Sequence, residues 1–265
     1  MKIDCHLHLP VREELTSFDD KKQYLINALQ ANNIDYGIVI PDNVEDSPIG
    51  SFQQCADLFK DEKRIFLMAS VNISSEPYSD IREFDRLLKN KETVALKTFP
   101  GHDEHFPNDS RLIPFIELCL TYDVPFVIHT GQNIGNPGAA KWNDPKYIVE
   151  LAGDYPRLKI VVCHYFWPNI RYCYETTKGY ENIFFDISGL ADSEVEAITG
   201  RNNIKEILER TIGDNPNRVL FGSDFGGSDI GSHIRLIDNL DVPHETRELI
   251  YSQNVVDLFL LPIAS

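Results

Sequence analysis

Residues 2–17 read KIDCHLHLPVREELTS: a short apolar run that ends in two histidines spaced by one residue, then a polar segment without glycine. This opening separates two α/β architectures. An open doubly wound sheet usually follows its first strand with a Gly-rich turn of the GxGxxG kind, and none is present here. Seven further apolar runs follow, at 36–40, 65–71, 93–98, 125–129, 159–164, 183–187 and 218–222. Each is rich in Val, Ile, Phe or Leu and bounded by Pro, Gly, Asp or Asn, as suits buried strands of a parallel sheet. Between them lie helical stretches at 19–31, 51–61, 79–90, 110–122, 145–155, 170–179, 193–211 and 230–240, with an extra helix at 245–260. Asn108-Asp109-Ser110 and Asp144-Pro145 supply start signals for two of them. Eight β/α units predict a closed (β/α)₈ barrel over residues 1–265, an α/β fold of one domain with an added C-terminal helix.

Composition agrees with this. The length of 265 residues suits a barrel of about 250, and 42% hydrophobic residues can fill its core. A formal charge of −16 argues against nucleic acid and against an anionic membrane surface. Acidity does not exclude a carboxylate-bearing small molecule, because a bound metal inverts the local field. The opening residues lack a basic segment followed by an apolar one, so no secretory signal is expected, and the first strand leaves no room for a preceding domain. Five cysteines without CxxC spacing suggest free thiols in a reducing compartment, with the cytoplasm as the expected location. Oligomeric state is not readable; a homo-oligomer is compatible.

Catalytic groups of a barrel stand at the carboxyl ends of its strands. The runs end in Asp4-Cys5-His6-Leu7-His8, Lys97, His129, His164, Asp186 and Asp224. Side chains two apart on a strand share a face, so His6 and His8 can reach one ion. His129, in VPFVIHTG, adds a nitrogen. Asp224, in VLFGSDFG, adds an oxygen that can also take a proton from activated water. An HxH pair alone says little; two more strand-end groups of the right type say much more. Asp4 reads as a hydrogen-bonding residue of the barrel mouth, and Cys5 and Cys163 as core thiols. Asp186 reads equally as pocket wall or loop cap. His102, His105, His233 and His244 read as solvated, although His102 and His105 follow the fourth strand and are placed to reach the mouth.

The segments IDCHLH, ALKTFPGHDEHFPNDSRLIPFIELC, DVPFVIHTG, KIVVCHYFWPN, ENIFFDISG and RVLFGSDFG, spanning residues 3–226, resemble the amidohydrolase superfamily. They are most similar to its amidohydrolase-related branch, which includes aminocarboxymuconate-semialdehyde decarboxylase and lactone hydrolases. The resemblance implies a metal on His6, His8, His129 and Asp224, and a His164 that polarises the substrate or binds a second metal. HYFWPN departs from the HxGxxW-like run of the branch, which puts the substrate-facing loop in question. Lys97 has two readings: a carbamylated bridge between two metals, or an unmodified lysine that binds a substrate carboxylate or oxyanion beside one metal. The single metal is favoured, with zinc as the default for nitrogen-rich ligation.

The expected activity is a metal-dependent hydrolase of an ester, lactone or amide, with catalytic roles for Asp224, His164 and Lys97. The alternatives are a decarboxylase or hydratase of an unsaturated carboxylate, and a metal-binding barrel without turnover. A phosphoesterase with the same HxH opening would show an SDAH-like ending where this chain has GSDFGG. A deoxyribonuclease of related build would need Glu in place of Lys97. The aromatic residues Phe99, Phe106, Trp142, Tyr165, Phe166 and Trp167 point to a partly apolar pocket.

Overall fold

Branched apolar residues in runs of two to five, buried on both faces, form the strands. These are β1 (Ile3–Leu7), β2 (Tyr36–Val39), β3 (Ile65–Leu67), β4 (Ala69–Ser70), β5 (Leu96–Thr98), β6 (Phe126–Ile128), β7 (Ile160–Cys163), β8 (Ile183–Asp186) and β9 (Val219–Leu220). The computed structural model describes residues 1–133 and 136–263. All strand pairs are parallel, in the order β1-β2-β3 and then β4 through β9. Met68 alone separates β3 from β4, so the run expected at 65–71 is one barrel strand with a break, and eight strands result. Closure comes from the parallel bridge Leu7–Phe225, with Cys5 N donating to Phe221 O at 2.9 Å and Asp224 N to His6 O at 3.0 Å. The expected TIM barrel is what forms.

The axis is filled by Ile3, Ile38, Met68, Ala95, Val127, Val161 and Leu220, with Phe184 packed against them. Residues drawn from all eight strands can meet only inside the barrel. Val255, Leu258 and Phe259 of the last helix join this cluster, so the extra C-terminal helix is part of the barrel core. A second, larger cluster packs the outer strand faces against the helices.

Helix starts follow local chemistry. Ser17 and Asp20 form a capping box on α1 (Phe18–Ala31), and Ser51 and Gln54 do so on α2 (Phe52–Phe59). The remaining helices are α3 (Ile81–Lys89), α4 (Ile113–Tyr122), α5 (Pro145–Asp154), α6 (Ile170–Thr177), α7 (Ser193–Thr199), α8 (Arg201–Asp214), α9 (Ile230–Asp238), α10 (His244–Glu248) and α11 (Asn254–Phe259). Asp144 caps α5 ahead of Pro145, as expected. The single helix expected at 193–211 is two, because Gly200 takes φ 85°, outside the helical region, and separates α7 from α8. The expected 245–260 helix is likewise divided by a π-helical stretch, Leu249–Gln253. No helix among the described residues is long and apolar enough to cross a membrane.

Candidate metal centre

β1 and the residue just after it deliver His6 and His8 to the mouth, and the loop after β9 delivers Asp224. His6 Nε2 lies 3.2 Å from His8 Nε2, and Asp224 Oδ1 lies 3.5 Å and 3.6 Å from these two nitrogens. The other ring nitrogens fix the tautomers. His6 Nδ1 donates to Asp186 Oδ2 at 2.5 Å, His8 Nδ1 to Ile40 O at 2.8 Å, and His164 Nδ1 to Ser188 O at 3.0 Å. Each Nε2 therefore presents a lone pair, and lone pairs repel at this range unless a cation stands between them. Ligands at 2.0–2.1 Å around a tetrahedral ion lie about 3.3 Å apart, close to the spacing seen here. His6, His164 and Asp224 also form a group whose ligand atoms lie within 4.8 Å of one another. The donor set fits a divalent metal.

The support beneath this set was the residue type most ambiguous in sequence. Asp186 does not line the cavity wall; it caps the loop after its strand, accepting from Ser188 N, and does more than that. Its carboxylate holds His6, and Ser188 donates to it from both N (2.8 Å) and Oγ (2.9 Å). A carboxylate behind a ligand histidine orients the ring and raises its basicity. Burial works against the charged form of Asp186, but His6 and His164 overcome it and hold the carboxyl well below its usual range. Asp224 behaves alike: burial pushes it up, yet His164, His6 and His8 keep it at about 2. Asp4 takes the mouth role expected of it, accepting from His6 N at 3.1 Å and Ser223 N at 3.0 Å.

The backbone here is strained. His164, Tyr165, Phe166 and Asp224 all have φ between 51° and 61°, a left-handed conformation that non-glycine residues seldom adopt. Gly222 permits another tight approach, since a Cβ there would fall on Asp186 Oδ1 and lie 2.9 Å from His6 Cβ.

Not every expected site residue joins the set. His129 stands beside it, its ring 4.9 Å from that of His164, but its Nε2 donates to Asn133 Oδ1 at 2.9 Å. Lys97 is fully buried and donates to Cys163 Sγ at 2.9 Å, so it reaches neither Asp4 nor the cavity lining. His102 lines the cavity, its ring 4.5 Å from that of His129. The expectation that His105 and His233 are solvated is corrected. His105 is buried against Thr98 and its own loop backbone, and His233 is bonded to Asp229 O and Ala191 N. His244 is exposed as expected. Of the six aromatic residues expected at the pocket, Phe99 and Trp167 line it, while Tyr165 lies in the core.

The cavity has two lobes that share His102, His129, His164 and Asp224. One, of about 320 Å³, adds Leu9, Asp42, Asn43 and Phe99; the other, of about 360 Å³, adds Gln132, Trp167, Asp192 and Ser228. Each is of a size for a single-ring molecule.

Burial, the largest cause, lowers the His6 imidazole to about 4 and also lowers His8, His129 and His233. An unfolded chain with ordinary imidazoles near 6.5 binds more protons than the folded one below that value. The imidazole contribution to the stability of metal-free protein is thus fully present above pH 6.5 and is lost as pH falls toward 4; it outweighs the opposing contribution of Asp4, whose carboxyl is raised by burial to about 7. Thermal unfolding of chelator-treated protein should give a midpoint roughly 5–10 °C lower at pH 5 than at pH 7; an unchanged midpoint would contradict the buried neutral imidazoles.

A family model described as Amidohydrolase matches residues 3–261. No curated protein matches the sequence. Solved structures do match. An uncharacterised TIM-barrel protein from Bordetella bronchiseptica is 17% identical, with TM-score 0.77 and 98% of each chain covered. A probable 2-pyrone-4,6-dicarboxylic acid hydrolase from Acinetobacter baumannii, with citric acid bound, is 16% identical over 98% of this chain and 99% of that one, at TM-score 0.70. A dihydroxybenzoic acid decarboxylase from Polaromonas sp. JS666, with manganese and 2-nitroresorcinol bound, is 17% identical over 99% and 98%, at TM-score 0.68. Decarboxylases of dihydroxybenzoate or 5-carboxyvanillate recur among the matching structures. They overturn the expectation of a hydrolase acting on an ester, lactone or amide in favour of the lyase alternative. The donor set could not distinguish the two, because cleaving a C–C bond beside a carboxylate and attacking a carbonyl both call for a cation and a proton carrier.

Proposed function

The chain belongs to the amidohydrolase family, and from that premise we propose that it is a metal-dependent decarboxylase of a small aromatic or unsaturated carboxylic acid. The metal dependence is carried by the His6 and His8 nitrogens and the Asp224 carboxylate, which stand 3.2–3.6 Å apart, and the choice of decarboxylation is supported by the decarboxylases among the similar structures. His6, His8 and Asp224 would hold the metal, and His129 completes the set on releasing Asn133. Manganese or zinc suits these donors, and manganese is the ion in the dihydroxybenzoic acid decarboxylase. When bound, the metal supplies a positive centre that anchors the substrate carboxylate or a neighbouring hydroxyl.

Decarboxylation replaces a carboxylate by hydrogen, so one proton must reach the carbon for each CO₂ released. Asp224 is ionised in the resting site and must first be loaded. The substrate arrives as a carboxylate and brings no proton to spare, so His164, locked through Nδ1 to Ser188, offers Nε2 to take one up from solvent. Asp224 lies within reach of that nitrogen and carries the proton to carbon as the C–CO₂ bond breaks. Phe99 and Trp167 contribute apolar lining that keeps bulk water from the reacting carbon. A single metal is supported by Lys97, whose ammonium is directed at Cys163 Sγ.

The test is CO₂ release from 2,6-dihydroxybenzoate and related hydroxybenzoates by manganese-loaded protein. Turnover should vanish with chelation and return with manganese. Metal content should be about one ion per chain and unchanged in Lys97→Ala. Hydrolysis of lactones or esters without any CO₂ release would refute the reading, and two ions per chain that fall to one in Lys97→Ala would refute the single site.

A further inference from the structure

Neither lobe of the cavity is lined by a lysine or arginine among the described residues. Apart from the donor set, the charged lining is negative: Asp42 in one lobe and Asp192 in the other. Asp42 is held in place by Ser47 Oγ at 2.5 Å and Asn43 N at 2.8 Å, and Asp192 caps α7 through Glu194 N at 2.8 Å. The ammonium of Lys97 is shut beneath the floor on Cys163. Arg12, in an adjoining cleft, lies over the Tyr24 ring at 4.9 Å and beside Glu14.

A carboxylate taken out of water needs a cation or several donors. The donor set, carrying a metal, can serve one. A second carboxylate extending into either lobe would meet Asp42 or Asp192 and no guanidinium, and like charges brought together in a partly dry site repel strongly. Hydroxyl groups fare differently, because Asn43, Gln132, Ser228 and the two aspartates can all pair with them.

We propose that the substrate carries one carboxylate and otherwise hydroxyl-type hydrogen-bonding groups, and that Asp42 and Asp192 exclude acids with a second carboxylate. This rests on the reading that the ligand is a carboxylic acid held by the metal set. It sets the chain apart from proteins that handle dicarboxylic acids on the same barrel.

The experiment compares two acids that differ by one carboxylate, 2-hydroxybenzoate and 4-hydroxyisophthalate, by calorimetric titration into manganese-loaded protein. The monocarboxylate should bind at least about tenfold more tightly. In Asp42→Asn/Asp192→Asn the ratio should fall below about threefold, mainly through tighter binding of the dicarboxylate; the comparison on native protein decides the matter if that variant does not fold. Equal or tighter binding of the dicarboxylate overturns the charge rule alone. Binding of neither acid overturns it together with the carboxylic-acid reading. Preferential binding of monocarboxylates, hydroxybenzoates among them, without CO₂ release upholds the charge rule and sinks only the decarboxylation.

Discussion

Asp224→Asn should lower turnover by about a thousandfold at saturating manganese, the largest catalytic effect expected of any single change. Asparagine keeps the shape and one oxygen donor, but it cannot carry a proton and brings no charge to the His6–His8 pair. Proton carriers typically contribute 10²–10⁴-fold. The loss should fall on kcat, because substrate capture through the metal is partly preserved. Steady-state rates, with bound metal measured in parallel, separate the outcomes. A variant that holds its manganese and keeps more than a tenth of the native kcat would remove Asp224 from the chemistry.

Gly222→Ala should be the most damaging change outside the donor set. The added methyl would fall on Asp186 Oδ1 and against His6 Cβ. Neither neighbour can move cheaply: Asp186 is bonded to His6 and twice to Ser188, and His6 lies on a closed barrel strand. Overpacking of this kind costs about 1–3 kcal/mol, and misplacing the carboxylate behind His6 should weaken metal binding about 10- to 100-fold. Gly213→Ala is the matched control, since nothing lies within 4 Å of a Cβ there. Unfolding midpoints and manganese titration of both variants measure the difference. Native-like metal affinity in Gly222→Ala would show that the His6–Asp186 contact does not govern the site.

The barrel was legible because its signal repeats. Eight apolar runs with turn residues between them admit few topologies, and each run predicted at a strand contains one. Boundaries were less legible where one residue acts alone: Gly200 divides a continuous helical pattern, and Met68 interrupts a continuous strand pattern. His6, His8 and Asp224 were readable because strand period and strand ends place them together. Asp186 was not assigned its role because its partner is 180 residues away, and local sequence carries no trace of that pairing. His129 and Lys97 show the opposite limit. Their positions on the strands were correct, yet where the side chains point depends on Asn133 and Cys163, which no spacing rule singles out. Hydrolase and decarboxylase remained inseparable in sequence because the groups that choose between them lie in loops.

The seam between β1 and the segment after β9 joins the two ends of the barrel: Ser223 N bonds Asp4 Oδ1 across 219 residues, and Asp224 N bonds His6 O. On a ribosome, His6 and His8 emerge first and wait for nearly the entire barrel to be made before Asp224 arrives. Strand pairing over such separations is slow, because the entropy of closing the loop is lost before the contact rewards it. A nascent chain thus has no complete binding site to offer. Metal capture by the proposed set is consequently coupled to the final closure of the barrel, and a growing chain exposes His6 and His8 to whatever ions surround it well before it can discriminate among them.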